Sequence, residues 1–239
     1  MVMAVILAGG NGSRLGGDIP KQYLMAGEMP VIGYSLHLFQ KHESIDAILI
    51  VCEDVWQPFV RMWIDKLQIA KFCGFADAGK SRQHSIYNAL GAAKGRGMKE
   101  EDVIMLHDAA RPCIKTAMIS QCIAAMDGAD GVMPALTVKD TVYVSRDGMH
   151  IDGLLCRDEL FAGQAPEFFR FGPYFQIHEI LDDEALSHIR GSSEIAYRNG
   201  LNIRVIPGDE GNIKITTIED LEQFRLLAEK QQEEQPLAY

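Results

Sequence analysis

Hydrophobic positions along the chain fall into two alternating patterns. Continuous apolar runs at Val2–Leu7, Ala47–Cys52 and from Val103 onward predict strands buried on both faces. Shorter runs within Gly131–Leu136 and Gly200–Pro207 predict two more, and Gly208–Thr217 reads as a turn followed by a strand. Between them lie segments of helical period. In Pro30–Gln40 the residues Ile32, Leu36 and Phe39 share a face, and Pro30 suits a first helical position. Val55–Leu67, the segment carrying Ile86, Leu90 and Ala93, Thr116–Met126, Phe171–Ile180 and Asp182–Ile189 follow the same rule. Thr217 and Asp220 have capping-box-like spacing for a last helix reaching about Gln231, and the polar residues beyond it are expected to fray. Strands alternating with helices predict an α/β fold with a mostly parallel, doubly wound sheet.

One stretch breaks the alternation. Val138–Leu155 carries short runs on either side of Arg146-Asp147-Gly148, a hairpin signal. A hairpin there predicts a projecting arm, about 138–158, of the kind that serves subunit contact. Phe161–Phe169 after it reads as an aromatic loop. With no repeat, low-complexity block or linker, residues 1–239 read as one domain carrying that arm.

Composition narrows the partners. The 239 residues sum to a net charge of −10, which disfavours nucleic acid or an anionic membrane as the main partner. No run approaches a membrane span, and the apolar N-terminus lacks the charged region and cleavage site of a signal peptide. Five cysteines, an odd number with no C-x-x-C pair, fit reduced thiols and a cytoplasmic location.

Against the acidic background the basic residues of three loops stand out. Directly after the first strand come Gly9, Gly10, Gly12, Gly16 and Gly17, with Arg14 and Lys21 beside them. Glycines allow backbone N–H groups to approach a ligand closely, which suits phosphate oxygens, although a tight turn needs the same residues. Ala78–Leu90 holds Gly79, Lys80, Ser81, Arg82 and Ser85 at a helix start. Ser81 or Ser85 can simply cap that helix, or the loop faces a ligand and Arg82 adds a charge. The third loop is His107-Asp108-Ala109-Ala110-Arg111 at a strand end. Asp108 is a hard oxygen donor of the kind Mg²⁺ takes, and Arg111 neutralises either Asp108 or a phosphate. Lys214 lies in another loop far along the chain. In open α/β sheets such loops converge at the carboxyl ends of the strands. Cations, one metal-ready carboxylate and N–H-rich loops suit transfer at phosphorus, where catalysis is positioning and charge stabilisation.

The ordered set of motifs carries a resemblance. The glycine loop ending in Pro20-Lys21-Gln22-Tyr23-Leu24, Arg82 to Leu90, His107 to Pro112, Asp140-Thr141, Arg157 and Asn212 to Asp220 resemble the 2-C-methyl-D-erythritol 4-phosphate cytidylyltransferases and related ribitol-5-phosphate cytidylyltransferases. The likeness runs from Val5 to about Leu226. It implies a Rossmann-like fold, CTP and a polyol phosphate as substrates, Mg²⁺ as cofactor and a homodimer made by the arm. By position, it implies that Ala8, Gly9, Gly10, Gly12, Gly79, Arg82, Ser85 and Ala109 form the nucleotide side. Arg14, Lys21 and Lys214 would hold the transferring phosphates, and Asp108 the metal. Arg157 from the partner's arm, Asp108, Arg111 and Thr141 would face the acceptor, and Arg190, which is not part of the resemblance, is a further candidate there.

Two places depart from the pattern. Where the family commonly reads Gln-Thr-Pro-Gln, this chain has Gln164-Ala165-Pro166-Glu167. Where it reads Thr-Asp-(Asp or Glu)-Ala-Ser, this chain has Arg190-Gly191-Ser192-Ser193-Glu194. The missing hydroxyl at Ala165 and the added Arg190 leave the acceptor open between methylerythritol phosphate and ribitol 5-phosphate or another surface-polymer precursor. Two other classes compete with the transferase. An NAD(P)-dependent dehydrogenase would share Gly10, Gly12 and Gly16, but the third glycine falls one place late and Pro20 interrupts the helix that fingerprint opens. A nucleotide-binding module without catalysis would need a dead metal site, yet Asp108 and Lys21 are both present.

Overall fold

The computed structural model describes residues 1–10 and 19–234. In chain order the elements are β1 (Val2–Leu7), β2 (Met25–Ala26), β3 (Met29–Pro30), α1 (Val31–Lys41), β4 (Ala47–Cys52), α2 (Gln57–Lys66), β5 (Phe72–Asp77) and α3 (Arg82–Gly95). There follow β6 (Val103–Asp108), α4 (Thr116–Ala125), β7 (Gly131–Thr137), β8 (Tyr143–Val144), β9 (Gly153–Leu154), β10 (Phe161–Gly163) and β11 (Glu167–Arg170). The chain closes with α5 (Phe171–Ile180), α6 (Asp183–His188), α7 (Ser192–Arg198), β12 (Ile203–Pro207) and α8 (Ile218–Glu234).

The sheet runs β10-β7-β11-β6-β1-β4-β5, with β12 on the other edge of β7. β1 pairs in parallel with both β4 and β6, β4 with β5, and β7 with β12. Only β10 and β11 run against the rest. Both pair along one edge of β7, β11 at Gly131 and Val132 and β10 from Ala135 to Thr137, while β12 occupies the opposite edge from Gly131 to Ala135.

Side chains alternate along the strands and so feed two cores. Ala4, Ile6, Ile48, Ile50 and Met105 face α1, α2 and α4, where Phe39, Trp63 and Ile119 meet them. Met3, Val5, Leu49, Val51, Ile104 and Leu106 face α3, α5 and α7, against Leu90, Tyr174 and Ile195. This two-sided burial is why the central strands read as continuous apolar runs. α8 makes a third, smaller cluster through Leu221, Phe224 and Ala228 on Ala26 and Val31.

Several expectations need correction. The aromatic loop at 161–169 contains β10 and most of β11, because Phe168 and Phe169 are needed as alternating core contacts between β6 and β7. The strand expected before Thr217 does not form. Ile215 instead hangs one backbone bond on Ala110 and sinks its side chain into the α8 cluster. Pro30 precedes α1 as its cap, with an extended backbone. β5 and α7 carried no sequence signal strong enough to predict them.

Two buried histidines make the core sensitive to acid. Burial lowers His107 and His178 to about 4. Their unfolded value is near 6.5, so between pH 6.5 and 4 the unfolded chain takes up protons that the folded chain refuses. Stability is complete above that window and falls as pH drops through it, by up to about 3 kcal/mol per histidine. The thermal midpoint should therefore drop across this range, and His178→Gln should flatten the drop by roughly half.

Candidate active site

The chain crosses from the β1-β4-β5 side back to β6, so the sheet's switch point lies between β1 and β6. A cavity of about 780 Å³ opens there, at the carboxyl ends of β1, β4, β5 and β6. Its wall includes Gly9, Gly10, Lys21, Gln22, Glu53, Gly79, Lys80, Arg82, Ser85, Asp108, Lys214 and Thr216.

The loop after β1 is held from below. Gln22 donates its amide to the Ala8 carbonyl at 2.6 Å and the Gly10 carbonyl at 2.9 Å. The Tyr23 hydroxyl donates to the same Ala8 carbonyl at 2.9 Å. Burial, with Cys52 beside it, raises the Tyr23 hydroxyl far above its usual range, so it stays a neutral donor. Both residues belong to a 3-10 turn, Lys21–Tyr23, that presents Lys21 to the cavity while its neighbours point inward. The first two loops touch closely. A side chain on Gly9 would meet the Ala78 Cβ at 2.6 Å, and one on Gly79 the Ser85 nitrogen at 2.7 Å. Glycine is required at both positions by close approach. Ser81 caps α3 by accepting from the His84 N–H, while the Ser85 hydroxyl accepts from the Gly79 N–H at 2.9 Å. The capping and loop-shaping alternatives are thus divided between the two serines.

Asp108 is the electrostatic centre. Its Oδ2 accepts from Lys214 Nζ at 2.7 Å and lies 3.9 Å from Arg111 Nε. Its Oδ1 accepts from Arg82 Nε at 3.3 Å. Burial pushes the carboxyl up, but the charges of Arg82, Lys214 and Arg111 outweigh it and hold Asp108 well below the usual carboxylate range. Arg111 also donates to the Asn212 carbonyl at 2.7 Å, which ties the β6 loop to the loop that carries Lys214. It therefore serves as a structural link as well as a neighbour of Asp108.

Of the expected site residues, the cavity gathers Gly9, Gly10, Lys21, Gly79, Arg82, Ser85, Asp108 and Lys214. Gly12 and Arg14, like Gly16 and Gly17, lie outside the described residues. Ala8 and Ala109 are buried behind the wall: Ala8 donates its N–H to the Val51 carbonyl and Ala109 to the Leu7 carbonyl. Both shape the loops from within. Arg157, Thr141 and Arg190 are exposed and do not line the cavity within one chain. Ala165 is buried too, with its carbonyl accepting from Asn212 Nδ2 at 2.7 Å. Sequence reasoning gave no role to Gln22, Glu167 or Ser192. Glu167 and Ser192 stood in the two stretches that depart from the family pattern, and both contact Arg82.

Mg²⁺ fits this donor set as a cation bound partly by phosphates. Among the described residues no three carboxylate, imidazole or thiol groups converge, and Asp108 offers one ionised hard-oxygen donor. Nor does a dinucleotide fingerprint fit, because a 3-10 turn and the β2-β3 pair separate Ile19 from the first residue of α1.

Comparison with known proteins agrees with the geometry. The profile of the IspD family, 2-C-methyl-D-erythritol 4-phosphate cytidylyltransferase, matches residues 2–229. The chain is 34% identical to the 2-C-methyl-D-erythritol 4-phosphate cytidylyltransferase of Geobacter metallireducens, over 92% of this chain and 94% of that one. It is 29% identical to the ribitol-5-phosphate cytidylyltransferase of Lacticaseibacillus paracasei, over 94% of this chain and 97% of that one. A crystal structure of 4-diphosphocytidyl-2C-methyl-D-erythritol synthase superposes with a TM-score of 0.77 at 25% identity, covering 95% of this chain and 98% of that one. Matched along nearly its whole length in sequence and in fold, the chain belongs to the IspD family of cytidylyltransferases and is a nucleotidyltransferase.

Proposed function

We propose that the protein transfers CMP from CTP to 2-C-methyl-D-erythritol 4-phosphate and releases pyrophosphate, a step toward isoprenoid precursors. The carrying observation is Asp108 at the switch point with Lys214 and Arg82 on its two oxygens and Lys21 in the same wall. An acceptor phosphate is already anionic at neutral pH, so no general base is required. One of its oxygens attacks the α-phosphorus of CTP in line. The new P–O bond forms as the bond to the bridging oxygen breaks, and that electron pair leaves with pyrophosphate. Backbone N–H groups of Gly9, Gly10 and Gly12 cradle the triphosphate. Gly79 and Ser85 face the nucleoside, and Ala8, Ala109 and Arg82 fix the surrounding walls. Arg14, Lys21 and Lys214 offset the charge that builds on the phosphates. Asp108 would hold Mg²⁺, which would supply positive charge to offset that of the phosphates. Arg111, Thr141, Arg190 and the partner's Arg157 serve the acceptor.

This assignment treats residues 1–239 as one domain with an arm that dimerises at about 138–158. The β8-β9 hairpin leaves Tyr143, Met149, Ile151 and Leu154 exposed at 56%, 81%, 68% and 65%, which supports a covered surface in a homodimer. Deleting Val142 to Ile151 should give monomers in light scattering and lose most activity. A persisting dimer would place the contact elsewhere. Five unpaired thiols support a cytoplasmic setting, and no helix among the described residues is long and apolar enough to cross a membrane.

The test is labelled CTP, Mg²⁺ and a panel of polyol phosphates. Methylerythritol phosphate should give the highest kcat/KM; ribitol 5-phosphate leading instead would reassign the acceptor to surface-polymer synthesis. No pyrophosphate with any acceptor, together with NAD(P)H binding, would overturn the transferase reading.

A further inference from the structure

Glu167 opens β11, paired with Leu106 of β6, and shares its face of the sheet with Phe169. That face is apolar core, and a carboxylate placed there is costly unless it is paired. Glu167 is buried and fully engaged. Its Oε1 accepts from the Ser193 N–H at 2.9 Å and the Ser193 hydroxyl at 2.7 Å, and its Oε2 lies 3.5 Å from Arg82 Nη2. Arg82 then spends its remaining nitrogens on Ser192 Oγ at 2.5 Å and Asp108 Oδ1 at 3.3 Å. All three nitrogens of the guanidinium are thereby fixed, and its plane is set by β6, β11 and α7 together.

We propose that Glu167 is the counter-ion that positions Arg82 against Asp108. Glu167 and Ser192 lie far apart in the chain yet meet on one guanidinium. The chemical need is visible in the cluster. Three cations, Arg82, Arg111 and Lys214, surround Asp108. With Asp108 as their only carboxylate, Arg82 would be drawn fully onto it. Glu167 shares Arg82, and Asp108 keeps its second oxygen for Lys214 and for a cation carried on the phosphates. Glu167 is a positioning residue: it does not line the cavity.

The inference rests on the transferase reading, and its test is a charge swap. E167Q keeps the shape and an acceptor for Ser193 but removes the charge. It should lower kcat/KM for CTP about tenfold or more, in line with the loss of a partner behind a ligand. Adding S192D should restore kcat/KM to within about threefold of wild type by returning an acid to the same guanidinium. Thermal midpoints are measured on every variant. Wild-type turnover in E167Q would overturn the proposal. So would a double variant that regains its thermal midpoint without regaining turnover, because that pattern marks a purely structural role. Should E167Q alone not fold, the double variant decides: near wild-type turnover supports the exchange, and a folded but slow enzyme refutes it. If the wild type itself turns over no acceptor, the functional reading fails separately. Calorimetric affinity for Mg²⁺–CTP then reads the same swap, weakened in E167Q and recovered with S192D, or else unchanged and against it.

Discussion

Replacing Lys21 with alanine should lower kcat for CMP transfer by about 10²–10³ while leaving the fold intact, the range seen when a single transition-state donor is removed. The local structure makes this a clean measurement. Lys21 begins a 3-10 turn whose next two residues carry the anchoring: Gln22 on the Ala8 and Gly10 carbonyls and Tyr23 on Ala8. Tyr23 also stacks on Trp56 at 4.6 Å between ring centroids. The turn therefore stays in place when its first side chain is trimmed, and the loss reports charge at the cavity wall. Lys21→Arg should recover part of the rate, since it restores charge but not the compact ammonium geometry. Rates from single-turnover mixing, with circular dichroism melts beside them, decide the matter. An unchanged kcat would remove Lys21 from the phosphate site.

What the sequence disclosed follows from where residues are buried. Val2–Leu7, Ala47–Cys52 and Val103–Leu106 are covered on both faces, so their apolar runs could not be mistaken for loops. β5 escaped because Cys73, Gly74 and Phe75 sit at the open edge of the sheet, half-buried and without a continuous run. β10 and β11 were hidden by Gly163 and Pro166, which punctuate them as a loop would. The cavity wall was legible where a loop follows a buried strand, as at Gly9 and Asp108, and at Gly79 through the polar, basic segment that opens α3. Ser192 and Glu167 were not, since their role exists only through Arg82, and no local pattern links three positions on α7, β11 and α3. Arg157 and Thr141 are exposed and lie away from the cavity within one chain.

Substituting Asp108 should have the second largest effect, and two variants separate its duties. Asp108→Asn keeps the side chain's volume and its oxygen for Arg82 but loses the charge that three cations share. The Mg²⁺ concentration for half-maximal rate should rise about tenfold or more, because loss of even an outer partner of a metal ligand costs about 10–100-fold. Asp108→Ala adds a cost in stability. Arg111, largely buried, keeps its bond to the Asn212 carbonyl, and Arg82 keeps Glu167 and Ser192. The penalty should therefore fall below the about 3–5 kcal/mol of a fully stranded buried charge. Acid acts in the same sense on the wild type. The Asp108 carboxyl is held below its ordinary value, so its contribution is complete above that value and is lost only as pH falls through the depressed one. The Asp108 variants should thus lose the acid-labile part of stability at low pH that the wild type shows below the histidine window. An Asn variant whose Mg²⁺ dependence matches the wild type would move the metal away from Asp108 and leave it as the anchor of Lys214 and Arg82 alone.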